Sequence, residues 1–278
     1  MKSNVDNKKI AQNALMLYGR MIIMAAIGFY TSRVVLCTLG VVDYGIYNVV
    51  GGIVGTLSVL NSAMSASTQR WITYALGKDD NNFICRVFKV CVSSQALLSI
   101  IVVGFIEIFG LYYLKNHAVI PDDRLDIAFW VFQISTATVL VNIINVPFQG
   151  VIIAHEKMGA YSMFSIVDVV MKLIICYALY FSEIDKLLLY SSLLFVTYIL
   201  NVIFQQLYCR RKFAEARFSF VWDWALYKQI WSLGFWTLFG CVAFVSYSQG
   251  IVLLVNSFFG PAMNAACGVA SQATNIVN

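Results

Sequence analysis

SRVVLCTLGVVDYGIYNVVGGI, residues Ser32 to Ile53, is the stretch on which the fold turns. An apolar helix carrying Arg33 runs out to Leu39 and Gly40. A short turn with one charge, Asp43, follows, and a second apolar, glycine-rich helix begins at Tyr44. A weaker copy stands 220 residues later, where IVLLVNSFFG (Ile251 to Gly260) leads into PAMNAACGVASQATNIVN. Shifting the first copy by 220 places puts Gly40 on Gly260 and Val49 on Val269. Few residues are identical. The match is one of hydropathy, small residues and turn placement, and it reads as the first two helices of two equivalent membrane bundles.

The composition agrees. Of 278 residues, 60% are hydrophobic and only 12% charged, with a mean hydropathy of +0.77. Soluble domains carry about 25% charged residues. Three prolines and many apolar runs of helical length predict an all-α polytopic membrane protein; the alternating ten-residue segments of a membrane barrel are absent from the sequence. Seven scattered cysteines form no CxxC pair and read as small apolar core residues, and two histidines leave little for a metal site. The start, MKSNVDNKKIAQN, is polar and basic, and the run after it is too long for a signal-peptide core.

A membrane crossing needs about 20 mostly apolar residues. Spans are predicted near Ala14–Leu39, Tyr44–Ala66, Val90–Leu114, Ile127–Ala154, Tyr161–Phe181, Leu187–Tyr208 and Ile230–Val255, with an eighth beginning near Ala262. The tryptophan-rich VWDWALYKQIW before the seventh reads as an interfacial helix. Thirteen lysines and arginines fall in the loops of one side, three in those of the other, and three inside spans. The bias sets the N-terminus in the cytoplasm. Six spans separate the two copies, so both enter the membrane in the same direction and form parallel repeats. The expected organisation is a six-helix bundle over 1–212, then an interfacial helix and two spans of a second bundle over 213–278, with further spans beyond Asn278.

Few polar residues lie inside the spans. Arg20 and Arg33 sit toward opposite ends of the first. A central arginine costs roughly 2.5–3.5 kcal/mol on insertion scales. Either each snorkels to the nearer headgroups, or one or both face a hydrated cavity and hold an anion. Asp168 and Lys172, at i and i+4 in the fifth span, form either a structural ion pair or a cavity cation with its partner. Asn48, Gly51, Gly52, Gly55, Ser58, Ser62, Ser65 and Gln69 make a small polar stripe on the second span, suited to close helix packing or to cavity lining. Pro147 predicts a kink in the fourth span, as a gating hinge or as a fixed bend. Glu107 reads as interfacial. No nucleophile–base set, carboxylate pair or metal spacing stands out, which argues against an enzyme and against any cofactor or metal.

The run from Ser32 through SAMSASTQRWITYALGK, then NVPFQGVIIAHEKMGAYS, then the tryptophan-rich lead into LGFW, resembles the bacterial polysaccharide exporters. These are the O-antigen and lipid-linked oligosaccharide flippases of the multidrug/oligosaccharidyl-lipid/polysaccharide exporter superfamily. The resemblance covers essentially the whole chain. It implies two six-helix bundles around a central cavity. It also implies flipping of an undecaprenyl-diphosphate-linked oligosaccharide to the outer leaflet of a bacterial inner membrane, for surface polysaccharide and lipopolysaccharide synthesis. Cavity arginines on the first helix of such flippases hold the diphosphate; by position these are Arg20 and Arg33, with Lys172 and its partner Asp168 beside them. Partners would be the lipid-linked oligosaccharide, membrane lipids and a coupling cation or proton, with no nucleic acid. A drug/cation antiporter of the same superfamily is the alternative, and should show cavity acids where three intramembrane cations stand here. A membrane glycosyltransferase or polymerase would need a long loop with carboxylates or arginines, and the sequence has none.

Overall fold

A computed structural model of the chain describes residues 2–56, 58–78, 80–116, 121–180, 185–216, 223–244 and 247. The second copy of the opening pattern, from Ile251 to Asn278, lies outside the described residues, as does the end of the seventh predicted span. Within them every regular element is helical: α1 (Lys2–Thr56), α2 (Ser58–Leu76), α3 (Asn81–Phe105), α4 (Leu111–Asn116), α5 (Leu125–Ala154), α6 (Met158–Tyr180), α7 (Lys186–Lys212) and α8 (224–244). A π-helical turn, Ile106–Gly110, joins α3 to α4. Among the described residues, five segments are long and apolar enough to cross a membrane: Ala14–Gly40, Asn81–Leu114, Leu125–Ala154, Met158–Tyr180 and Lys186–Lys212.

The decisive stretch does turn at Gly40. Its φ of 81° and ψ of 171° break α1 into two arms with no intervening loop. A side chain is strained at that φ, and glycine carries none. The turn is tighter than the sequence predicts: helix resumes directly after Gly40 rather than at Tyr44. Two further boundaries differ. α3 begins nine residues before Val90, because the Asp80 carboxylate caps it, accepting from the backbone N–H of Asn82 (2.9 Å) and Phe83 (3.2 Å). The tryptophan-rich stretch runs straight on into the seventh predicted span: 224–244 is one continuous helix entered after Asp223. The Asp223 carboxylate accepts from the Leu226 N–H at 3.3 Å, so the stretch supplies its own helix start.

α5 is the axis of the bundle. Its sequence is apolar on all sides, which suits a helix surrounded by others. α1, α2, α3, α6 and α7 all pack on it. Val131, Phe132, Ile143, Val151 and Ile152 are fully buried, and the Phe148 ring meets Phe88 of α3 edge-on at 5.3 Å. Between apolar spans, lipid tails compete with side chains, so packing and interhelical hydrogen bonds carry the association. Gln95 of α3 donates to Thr68 of α2 (3.1 Å), and Ser67 donates to the Ile230 carbonyl of α8 (2.8 Å). Gly234 lets α8 approach α2 closely; a Cβ there would sit 2.3 Å from the Met64 sulfur.

Charged pairs gather at the two ends. At the Gly40 end, Arg124 reaches Asp185 at 2.5 Å and Asp43 at 3.6 Å, tying the α1 break to the starts of α5 and α7. At the other end His155 meets Glu215, and Arg86 lies 3.6 Å from Asp223.

Candidate functional site

α1 and α6 run side by side in the same direction. Gly159 lies against Met16, Arg20 bonds Ser165, and the Tyr30 and Tyr177 hydroxyls are 2.6 Å apart, so both numbers rise together along the seam. This parallel pairing is what two odd-numbered spans require.

Arg20 leans onto α6. Its guanidinium donates to the Ser165 hydroxyl at 3.2 Å and lies 4.7 Å from the centroid of the Tyr161 ring. A cation over an aromatic face is attracted by the ring quadrupole. Neither partner is an acid. The buried Arg20 Nε has no hydrogen-bond acceptor among the described residues. Among the described residues Arg20 is therefore held in place without an acid to neutralise it, and a guanidinium so placed can bind an anion.

On α6, Tyr161, Ser165, Asp168 and Lys172 follow at steps of four, three and four, which puts them on one face. Lys172 Nζ meets Asp168 Oδ2 at 2.7 Å, with the lysine side chain 43% exposed and the aspartate 19%. The second aspartate oxygen, Oδ1, is buried and unbonded among the described residues. Structure thus brings Arg20, Asp168 and Lys172 along one polar strip.

Arg33 stands apart. Thirteen residues of helix separate it from Arg20, about 20 Å along the axis. It is exposed and faces a shallow pocket of about 390 Å³ with Tyr30, Thr38, Tyr180 and Lys186. Lys186 was not among the sequence candidates; as the first residue of α7, its nearness to Arg33 depends on how α7 docks.

Pro147 is buried in α5, which stays helical through it. Proline has no N–H, so the Ile143 carbonyl loses its helical donor. Two residues earlier, Asn145 donates to Gln205 (2.9 Å), and Gln205 donates to Asn201 (2.7 Å), which donates to the Phe164 carbonyl (3.1 Å). This relay links the proline region of α5 to α7 and α6, and no local spacing in the sequence signals it.

The small polar stripe after Gly40 is divided among the described residues: Gln69 packs against Gly150 of α5, while several other members are open. Asn48, Gly51 and Ser62 are exposed, and a Cβ on Gly51 would meet nothing within 4 Å. Glu107, read as interfacial, is also tied to a neighbouring helix. It lies in the π-helical turn and accepts from Gln133 of α5 at 3.1 Å.

No protein-family model and no curated protein matches this sequence. Solved structures do. An outward-facing multidrug resistance MATE family transporter of the MOP superfamily matches with a TM-score of 0.73 at 12% identity, over 95% of this chain and 60% of that one. A MATE structure in complex with MaD3S also gives 0.73 at 12% identity, over 95% and 61%. A MOP superfamily transporter from Pyrococcus furiosus, described by a reverse polarity of its binding pocket that suggests a different function, gives 0.62 at 12% identity, over 95% and 60%. Likeness at this identity establishes the fold. The chain has the multi-pass helical membrane fold of these transporters, and it spans about 60% of their length.

Proposed function

We propose that this chain forms the first six-helix bundle (1–212) and the opening helices of a second, parallel bundle (213–278) of a transporter that flips a lipid-linked oligosaccharide across a bacterial inner membrane, N-terminus in the cytoplasm. One observation carries the reading: Arg20 is anchored on α6 by a hydroxyl and an aromatic ring, not by an acid, with its Nε still unbonded among the described residues. A cation so held inside a span is costly unless it has an anionic ligand or water. A diphosphate is such a ligand, and guanidinium binds it with paired donors. Lys172 and Asp168 continue the strip, and Arg33 with Lys186 would receive the same anion at the far end. Crossing the bilayer requires shielding the diphosphate and sugars while the lipid tail stays in hydrocarbon. Pro147 and the Asn145 relay are the hinge. The Pyrococcus furiosus neighbour, with its reversed pocket polarity, supports the idea that this fold can carry a cargo unlike that of its multidrug relatives.

The test is mutagenesis in the full-length protein. Arg20→Ala, Arg33→Ala and Lys172→Ala should each lower surface glycan export at unchanged membrane abundance. Normal export from all three would end the cationic-path reading. The antiporter alternative draws on the unbonded Oδ1 of Asp168, an acid positioned for a cation. Drug efflux that is lost in Asp168→Asn and untouched in Arg20→Ala would favour it.

A further inference from the structure

A groove of about 600 Å³ runs between α6 and α7. Its walls are apolar for most of their length, with Val167 and Met171 on α6 facing Leu200, Phe204 and Leu207 on α7. These side chains are open to the surroundings: Phe204 is 59% exposed and Leu200 44%. Both helices are long and apolar enough to span a bilayer, so the groove lies at the depth of acyl chains. Arg211 and Lys212 line one end. They follow Arg210 in the last turn of α7, where a membrane helix emerges among headgroups. Of the polar residues along the wall, Asn201 bonds Phe164 and Gln205, and Asp168 pairs with Lys172 through one of its two oxygens. The groove is also distinct from the contact that leads into the rest of the chain. α8 docks on α2 through Ser67 and Met64, and α5 packs between α2 and α7.

We propose that this groove binds an anionic phospholipid, with an acyl chain along the apolar wall and the phosphate against Arg211 and Lys212. Two adjacent cations at the mouth of an apolar slot match one negative headgroup above one hydrocarbon tail. A zwitterionic lipid offers the same tail, but its own ammonium offsets the attraction. The groove shares Asp168 with the strip assigned to the cargo above, but the headgroup site at Arg211 and Lys212 does not rest on that cargo.

The experiment uses the full-length protein in vesicles containing a phosphatidylglycerol with a photoactivatable acyl chain. Crosslinks should map to the 163–171 and 200–207 segments and be competed by phosphatidylglycerol, not by phosphatidylcholine. Arg211→Gln and Lys212→Gln should each cut that preference about fivefold, the usual weight of one basic residue at an anionic surface. Leu200→Trp, which fills the slot, should reduce crosslinking whatever the headgroup. Equal competition by both lipids, with no effect of Arg211→Gln/Lys212→Gln, would show an apolar face bathed by bulk lipid and overturn the proposal. So would competition by a polyprenyl diphosphate in preference to phosphatidylglycerol.

Discussion

Two arginines of this molecule live in opposite circumstances. Arg124, at the Gly40 end, is met by two carboxylates, Asp43 and Asp185, from two other elements. Arg20, inside the first span, is met by a serine hydroxyl and a tyrosine ring. A cation saturated by acids joins helices together. A cation held by neutral groups keeps its charge available. The difference separates a structural tie from a candidate binding group, and neither burial nor hydropathy alone would have separated them.

The widest separation between them should appear in transport. Arg20→Ala should lower glycan export by roughly 30-fold or more, the loss expected when one partner of a desolvated charged contact is removed. Arg20→Lys should recover part of it, since the charge stays while the paired donors go. Membrane abundance and thermal stability should hardly move. A variant that loses abundance in step with export would make Arg20 a structural residue like Arg124.

Arg124→Ala should do the reverse. It strands the Asp43 carboxylate, only 8% exposed, and should cost about 1–3 kcal/mol of stability, read by thermal unfolding in detergent. Export per folded molecule should persist. An export defect at full stability would move this cluster into the transport cycle.

Lys172→Gln tests whether the strip acts together. Export should drop several-fold, because the unpaired Asp168 would then stand as a negative charge on the face that Arg20 leans on. Asp168→Asn/Lys172→Gln should be less impaired than Lys172→Gln alone. Additive losses in the double variant would show the pair acting separately.

The smallest effect is one of pH. Burial pushes the Asp43 carboxyl above its ordinary value, and the Arg124 charge only partly opposes this. An acid raised on folding favours the folded state while protonated. That contribution is present below the ordinary carboxylate range and is lost as pH climbs through the raised value. Unfolding temperature should therefore fall slightly as pH rises above about 4. The segment of slope should vanish in Asp43→Asn. A wild type that gains stability over the same window, relative to Asp43→Asn, would mean that the attraction to Arg124 outweighs burial.

The sequence read well where local chemistry decides. The Gly40 turn, the membrane-length helices and the Asp168–Lys172 pair at i and i+4 were all visible, because hydropathy, glycine and helical spacing act within a few residues. Tyr161 and Ser165 carried a readable signal too, lying in the same four-three-four register as Asp168 and Lys172. Their role was hidden because nothing on α6 says that Arg20 of α1 leans there. The stripe from Asn48 to Gln69 left two readings open for a related reason. A GxxxG spacing promises that a backbone can come close, and leaves open whether another helix of the same chain does so.

By itself, then, the order of residues determined a helical membrane protein with a tight break at Gly40 and rare charges inside its spans. Their cost in hydrocarbon marks them out wherever they fall. Which charges are cancelled and which stay free was decided only by tertiary structure. Asp43, Arg124 and Asp185 meet across 142 positions of sequence, and Arg20 finds Ser165 across 145. Electrostatic neutralisation depends on distances of a few ångströms, and only the docking of one helix on another sets those distances.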